Sequence, residues 1–99
     1  MTVDGLLLVH GGLHTSRCWE YLLPLLEMPA RAVDLPGRGS RPADLSKVTL
    51  SDCVDAVIEE ADAAGYSGFA LVGHSLGGVT ITETAFLHPE RVTHLVYVG

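Results

Sequence analysis

Four apolar runs, each stopped by glycine, proline or a polar turn, set the rhythm of this chain. Gly5-Leu6-Leu7-Leu8-Val9-His10 is continuous and meets a glycine pair, as expected of a strand buried on both faces. Ala30 to Leu35 repeats the pattern and closes on the turn cluster Pro36-Gly37-Arg38-Gly39. Phe69 to Val72 is the third such run and Val92 to Val98 the fourth.

The intervals between them carry a helical period. Trp19, Leu22, Leu23 and Leu26 recur at helical spacing behind Ser16, a residue suited to cap a helix. Pro24 lies inside that run, so the spacing predicts a short or kinked helix ended by Met28-Pro29. Thr49-Leu50-Ser51-Asp52 resembles a capping box with aspartate in place of glutamate. Leu50, Cys53, Val54, Val57, Ile58 and Ala61 then form an apolar stripe, with Asp55, Glu59, Glu60 and Asp62 toward water. Gly65 ends that helix. Cys53 lies on the stripe, which assigns it to packing rather than reactivity. A third helix follows Ser75, is predicted to turn Leu76, Val79, Thr82, Ala85 and Phe86 inward, and stops before Pro89.

Strands alternating with helices define an α/β class: a parallel sheet of about four strands, right-handed crossovers, and helices on both faces. With 99 residues, the chain has room for a single domain spanning 1–99. In such sheets ligands gather beyond the C-terminal strand ends, where strand order reverses. The two most glycine-rich loops, His10-Gly11-Gly12 and Gly73 to Gly77, both follow strand C-termini. A strand order of second, first, third, fourth would make them neighbours.

Composition narrows the classes of function. The chain is 47% hydrophobic and 18% charged, which is globular rather than disordered. Twelve acidic against six basic residues give a net charge of −6, and the basic residues are scattered. That excludes a nucleic-acid or anionic-membrane footprint. No apolar run approaches the ~20 residues of a membrane span, and Asp4 interrupts any secretory start. Cys18 and Cys53 form no Cys-x-x-Cys pair, which reads as reduced thiols in a cytosolic compartment.

Chemistry concentrates at Gly73-His74-Ser75-Leu76-Gly77. Gly-x-Ser-x-Gly between a strand and a helix lets the serine occupy a strained turn with its hydroxyl projecting from the sheet. Side chains two before and two after the serine are expected to collide across the turn. The hydroxyl also lies at a helix N-terminus, where free N–H groups favour developing negative charge. Ser75 is therefore the candidate nucleophile. The N–H of Leu76 is a natural oxyanion donor, and Gly12, whose backbone can approach a carbonyl closely, is the candidate second donor. Two rival motifs fail. Val79-Thr80 stands where a phosphate loop requires Lys-Ser/Thr, and Pro42 stands where a dinucleotide fingerprint requires its third glycine. His10 and His14 are four apart, but Gly11-Gly12 opposes the helix a zinc pair would need. No metal or cofactor is expected.

His-Gly-Gly after the first strand, Asp34-Leu35-Pro36-Gly37-Arg38-Gly39 after the second, and Val72-Gly73-His74-Ser75-Leu76-Gly77-Gly78 together resemble the α/β-hydrolase fold superfamily. His10 to Leu26 is similar to the methylesterase and hydroxynitrile-lyase branch, and Leu76 after the serine is more similar to the esterases. The resemblance runs from about Gly5 to Gly99. It implies strand order second, first, third, fourth, Ser75 as nucleophile, Gly12 and Leu76 as the oxyanion hole, and a small ester-like molecule as substrate. Enzymes of this family take their acid and histidine from loops after later strands, so the chain looks like the N-terminal part only. None of the five histidines fits the family's catalytic place, and Asp34 belongs to its turn. Three readings stay open: an esterase-like serine hydrolase incomplete in this chain, a truncated fold that only binds a ligand or partner, and lyase chemistry on the same scaffold. With right-handed crossovers only the Trp19–Leu26 helix covers one face of the sheet. Val92–Val98 is then an exposed apolar edge, predicting self-association or hydrophobic-dye binding.

Overall fold

The computed structural model describes residues 2–99. Strands β1 (Gly5–Val9), β2 (Ala30–Val33), β3 (Phe69–His74) and β4 (Val92–Val98) form one parallel sheet in the order β2-β1-β3-β4. Helices α1 (Leu50–Ala64) and α2 (Gly77–Leu87) supply two of the crossovers. β1 stops one residue before His10 and β2 two before Leu35, whereas β3 runs on through His74. The β1–β3 register pairs Leu7 with Leu71 and Val9 with Gly73, which brings the two glycine-rich loops side by side.

The core lies on the face covered by α1 and α2. Leu7, Val9, Val33, Phe69 and Leu71 meet Val57 and Ala61 of α1 and Ile81 of α2 there. The α1 capping box forms as the sequence predicts: Thr49 Oγ1 accepts the Asp52 N–H at 3.1 Å and Asp52 Oδ2 accepts the Thr49 N–H at 3.0 Å. Gly65 closes the helix in the left-handed conformation, φ 77°, its N–H reaching Ala61 and Asp62 carbonyls.

Two expectations are corrected. The predicted Trp19–Leu26 helix is instead a pair of 3₁₀ turns, Ser16–Trp19 and Leu23–Leu25. Pro24, without an N–H, cannot continue an α-helical ladder from the first turn into the second. Thr15 rather than Ser16 caps the first turn, its Oγ1 accepting the Arg17 N–H at 3.2 Å, while Ser16 is the first residue of the turn and its N–H donates to Asp34. The inward face of α2 also differs. Gly77, Gly78, Thr80, Ile81 and Thr84 are buried, whereas Leu76, Val79 and Phe86 are exposed by 64%, 54% and 77%. The helix starts so close to the sheet that a Cβ on Gly77 would lie 2.6 Å from the Val9 carbonyl oxygen. Close approach selects glycine at the start of that face, Ile81 fills it one turn on, and Leu76, Val79 and Phe86 turn outward.

The other face carries Leu8, Ala70, Val72 and His74, and Trp19 from the first 3₁₀ turn is buried against it. Among the described residues no α-helix covers this side, and Val96 and Val98 of β4 are 47% and 43% exposed. Among the described residues no helix is long and apolar enough to cross a membrane.

Candidate active site

β3 delivers the chain into a turn whose geometry falls on one residue. Ser75 has φ 54°, and among the described residues it is the one non-glycine with positive φ. Its N–H donates to the Val98 carbonyl at 3.0 Å, and its carbonyl accepts the Gly78 N–H at 2.9 Å. The strained backbone is thus fixed from both sides, by β4 and by the first turn of α2. Gly73 is required across the turn, since a Cβ there would lie 2.8 Å from the Gly77 carbonyl oxygen. Gly77 is required for a different reason than expected: its missing Cβ would strike the Val9 and His10 carbonyls of the neighbouring strand end, not the turn. Ser75 itself is exposed, and its hydroxyl makes no hydrogen bond among the described residues.

The facing wall is the Gly11–Gly12 loop, and His10 fastens it. The His10 ring is 1% exposed. Its Nε2 accepts the Leu35 N–H at 3.0 Å, so Nδ1 carries the proton and donates to the Gly11 carbonyl at 2.8 Å. Burial holds its pKa below the ordinary 6.5, outweighing the opposing pull of the Gly11 carbonyl and Asp34. A neutral, buried imidazole therefore ties the end of β1 to the end of β2. It has neither ring nitrogen free for a metal or a substrate.

Gly12, Ser75 and Leu76 meet in one cleft of about 220 Å³, lined also by Leu13, His14 and His74. A Cβ on Gly12 would lie 2.8 Å from Leu76 Cδ1, so the two loops are in contact there. Neither the Gly12 nor the Leu76 N–H donates to an acceptor of the described chain. A second, more open hollow of about 460 Å³ adjoins Ser75 between α2 and β4, where Tyr97 Oη and Thr82 Oγ1 are 2.6 Å apart. A hollow of similar size between Pro36–Lys47 and α1 holds neither Ser75 nor a glycine loop. The C-terminal strand ends are the better candidate, because the exposed, positive-φ serine and two N–H groups without acceptors coincide there.

The remaining candidates are placed elsewhere. Asp34 is a clamp: its carboxylate accepts the Ser16 N–H at 2.7 Å, the Ser40 N–H at 3.1 Å and the Ser40 hydroxyl at 2.9 Å. Burial opposes the charged form, but these hydrogen bonds prevail and hold the carboxyl at about 2. His14 and His74 lie edge to face, ring centroids 5.6 Å apart, and Trp19 stands edge-on to His74 at 6.4 Å. His88 caps the far end of α2, 3.8 Å from Glu90, and His94 is exposed on β4 beside Thr93. No histidine hydrogen-bonds Ser75, and no group of three His, Cys, Asp or Glu side chains converges among the described residues. Sequence reading missed the Ser75–Val98 bond and the Tyr97–Thr82 pair. Both depend on the β3–β4 register, which periodicity does not reveal.

The chain belongs to the alpha/beta hydrolase family, whose model matches residues 6–99. It is 36% identical to a pyrethroid hydrolase of Sphingobium wenxiniae over 99% of this chain and 36% of that protein. It is 35% identical to methylesterase 9 of Arabidopsis thaliana, over 92% of this chain and 38% of the relative. Among solved structures, a polyneuridine aldehyde esterase variant superposes with a TM-score of 0.83 at 29% identity, over 97% of this chain and 40% of the other. The chain thus spans little more than a third of the length of the curated relatives it matches.

Proposed function

We propose that these residues form the nucleophile and oxyanion half of a serine hydrolase site acting on a small ester. Ser75 attacks the carbonyl carbon, and the tetrahedral oxygen is received by the N–H groups of Gly12 and Leu76. The leaving alcohol departs with a proton, and water later releases the acyl group from Ser75. The observation that carries this reading is the coincidence in one cleft of a strained, exposed serine and two N–H groups without acceptors. Hydrolase and esterase relatives support the reaction class.

The general base and its acid come, on this reading, from sequence outside these 99 residues, because no histidine here hydrogen-bonds Ser75. Without a base the hydroxyl is a weak nucleophile. The same observation favours the second reading, in which the fold binds a small molecule without turning it over.

Titration with phenylboronic acid tests the assignment without requiring turnover. A boronate bonded to Ser75 Oγ becomes tetrahedral and presents an oxyanion. With imidazole supplied as the base, the expected result is a tetrahedral boron signal with downfield shifts of the Gly12 and Leu76 amide protons, all absent in Ser75→Ala. Tetrahedral boron in the alanine variant, or a folded wild-type chain with none, would refute the serine assignment.

A further inference from the structure

Behind the Gly12–Leu76 contact lies a separate cavity of about 200 Å³, enclosed by the Gly11–Gly12 loop, the turn after β2 and the first turns of α1 and α2. His10, Gly12, Leu35, Arg38, Leu76 and Thr80 line it. It shares Gly12 and Leu76 as a common wall with the cleft in front of Ser75. Leu35 and Leu76 give it apolar walls, and Arg38 is its one cation.

Among the described residues Arg38 is the one arginine of five without a carboxylate partner, and Lys47, likewise unpaired, is exposed to solvent. Acidic residues outnumber basic ones twelve to six, and Arg17, Arg31, Arg41 and Arg91 each pair with a carboxylate. Arg38 is half-buried, yet among the described residues its guanidinium forms no ion pair and no hydrogen bond. The groups beside it are already spent. Asp34 already accepts three hydrogen bonds from Ser16 and Ser40 and forms no ion pair with Arg38, and both His10 nitrogens are engaged. Its backbone is fixed, with its N–H on the Leu35 carbonyl at 2.9 Å and its carbonyl accepting the Arg41 N–H at 3.0 Å. A partly desolvated guanidinium on a rigid turn, left without a carboxylate by an acidic protein, is suited to an anion from solution.

We propose that this cavity binds the carboxylate end of a small organic acid, so that the ester hydrolysed at Ser75 carries a free carboxylate that pairs with Arg38. A single cation between apolar walls matches a monoanion with an apolar body better than a phosphate dianion. The ester half of this statement rests on the reading of Ser75 given above; the carboxylate half does not.

Benzoate and its neutral isostere benzamide, titrated against the isotope-labelled 99-residue chain, separate the two. Benzoate is expected to shift the Arg38 side-chain Nε–H together with the Gly12, Leu76 and Thr80 amides, saturably. Arg38→Gln should weaken benzoate about tenfold or more, Arg38→Lys should retain part of the affinity, and benzamide should be indifferent to both. Ser75→Ala should bind benzoate as the wild type does. Equal benzoate affinity in wild type and Arg38→Gln, shifts confined to other residues, or equal binding of benzamide and benzoate would each overturn the assignment. Boronate failure with benzoate binding intact sinks only the serine reading, and the reverse pattern sinks only this one.

Discussion

The two edges of the sheet are finished differently. The β2 edge is tied to its surroundings: Arg31 pairs with Glu60 at 3.0 Å, Arg41 with Glu59 at 2.7 Å, and Asp34 gathers the loops carrying Ser16 and Ser40. At the β4 edge Leu95, Val96, Tyr97 and Val98 are 36–57% exposed, and among the described residues no ion pair reaches the strand. Natural sheets guard their edges with charge or cover. β2 has that guard and β4 lacks it. The candidate site straddles the difference: the Gly12 wall is anchored through His10 to β2, while the Ser75 backbone is anchored to Val98 of the open strand.

The largest effect should come from closing the seam between the two halves. Gly77→Val places carbon against the Val9 and His10 carbonyls, where no side chain can yield, and is expected to cost about 3 kcal/mol or more by urea denaturation. Gly78→Ala on the β4 side meets only the Tyr97 ring, at 3.1 Å, and should cost less than about 1 kcal/mol. If both substitutions proved equally damaging, the contrast between rigid and open sides would fail.

The anchored side should also be the acid-sensitive one. Asp34 is held at about 2 against an ordinary 3.8, so the unfolded chain binds its proton first. That stabilisation, about 2 kcal/mol, is present above pH 3.8 and is lost as pH falls toward 2. Asp34→Asn should abolish this part of the pH dependence, as read from denaturation midpoints across the range. His10 acts in the same direction at higher pH. Its folded pKa is lowered, so its contribution is complete above 6.5 and declines as pH falls below it. The protection of the Leu35 amide, its exchange rate relative to the intrinsic rate at the same pH, should fall on that descent, and a constant protection factor would contradict the His10 tie.

Smaller effects belong to the open edge. Val96→Lys should lower the fluorescence of a bound hydrophobic dye, and any concentration-dependent sedimentation, while changing stability by less than about 0.5 kcal/mol. Tyr97→Phe, which removes an exposed hydroxyl pair with Thr82, should cost no more than about 1 kcal/mol.

Much of this was legible in the sequence because its signals are local. The α1 stripe and capping box, the αL glycine at 65, and the glycine–serine–glycine turn each depend on residues a few positions apart. What failed depended on distance in space. The inward face of α2 was misread because apolar periodicity cannot tell that the nearest sheet residue is a backbone carbonyl, which admits only glycine. Asp34 and His10 looked like turn residues, yet each joins segments remote in sequence, His10 to Leu35 and Asp34 to Ser16. The unpaired state of Arg38 could not be read either, because it depends on where every carboxylate lies.

Ser75 reactivity is the most direct measure of a site built with nucleophile and donors but without a base. Intact-mass analysis after a fluorophosphonate probe, with and without exogenous imidazole, reads it on wild type and Ser75→Ala. The predicted result is no adduct without imidazole and a Ser75-dependent adduct with it. A Ser75 adduct formed rapidly in the absence of imidazole would place a working base inside these 99 residues and contradict the proposal.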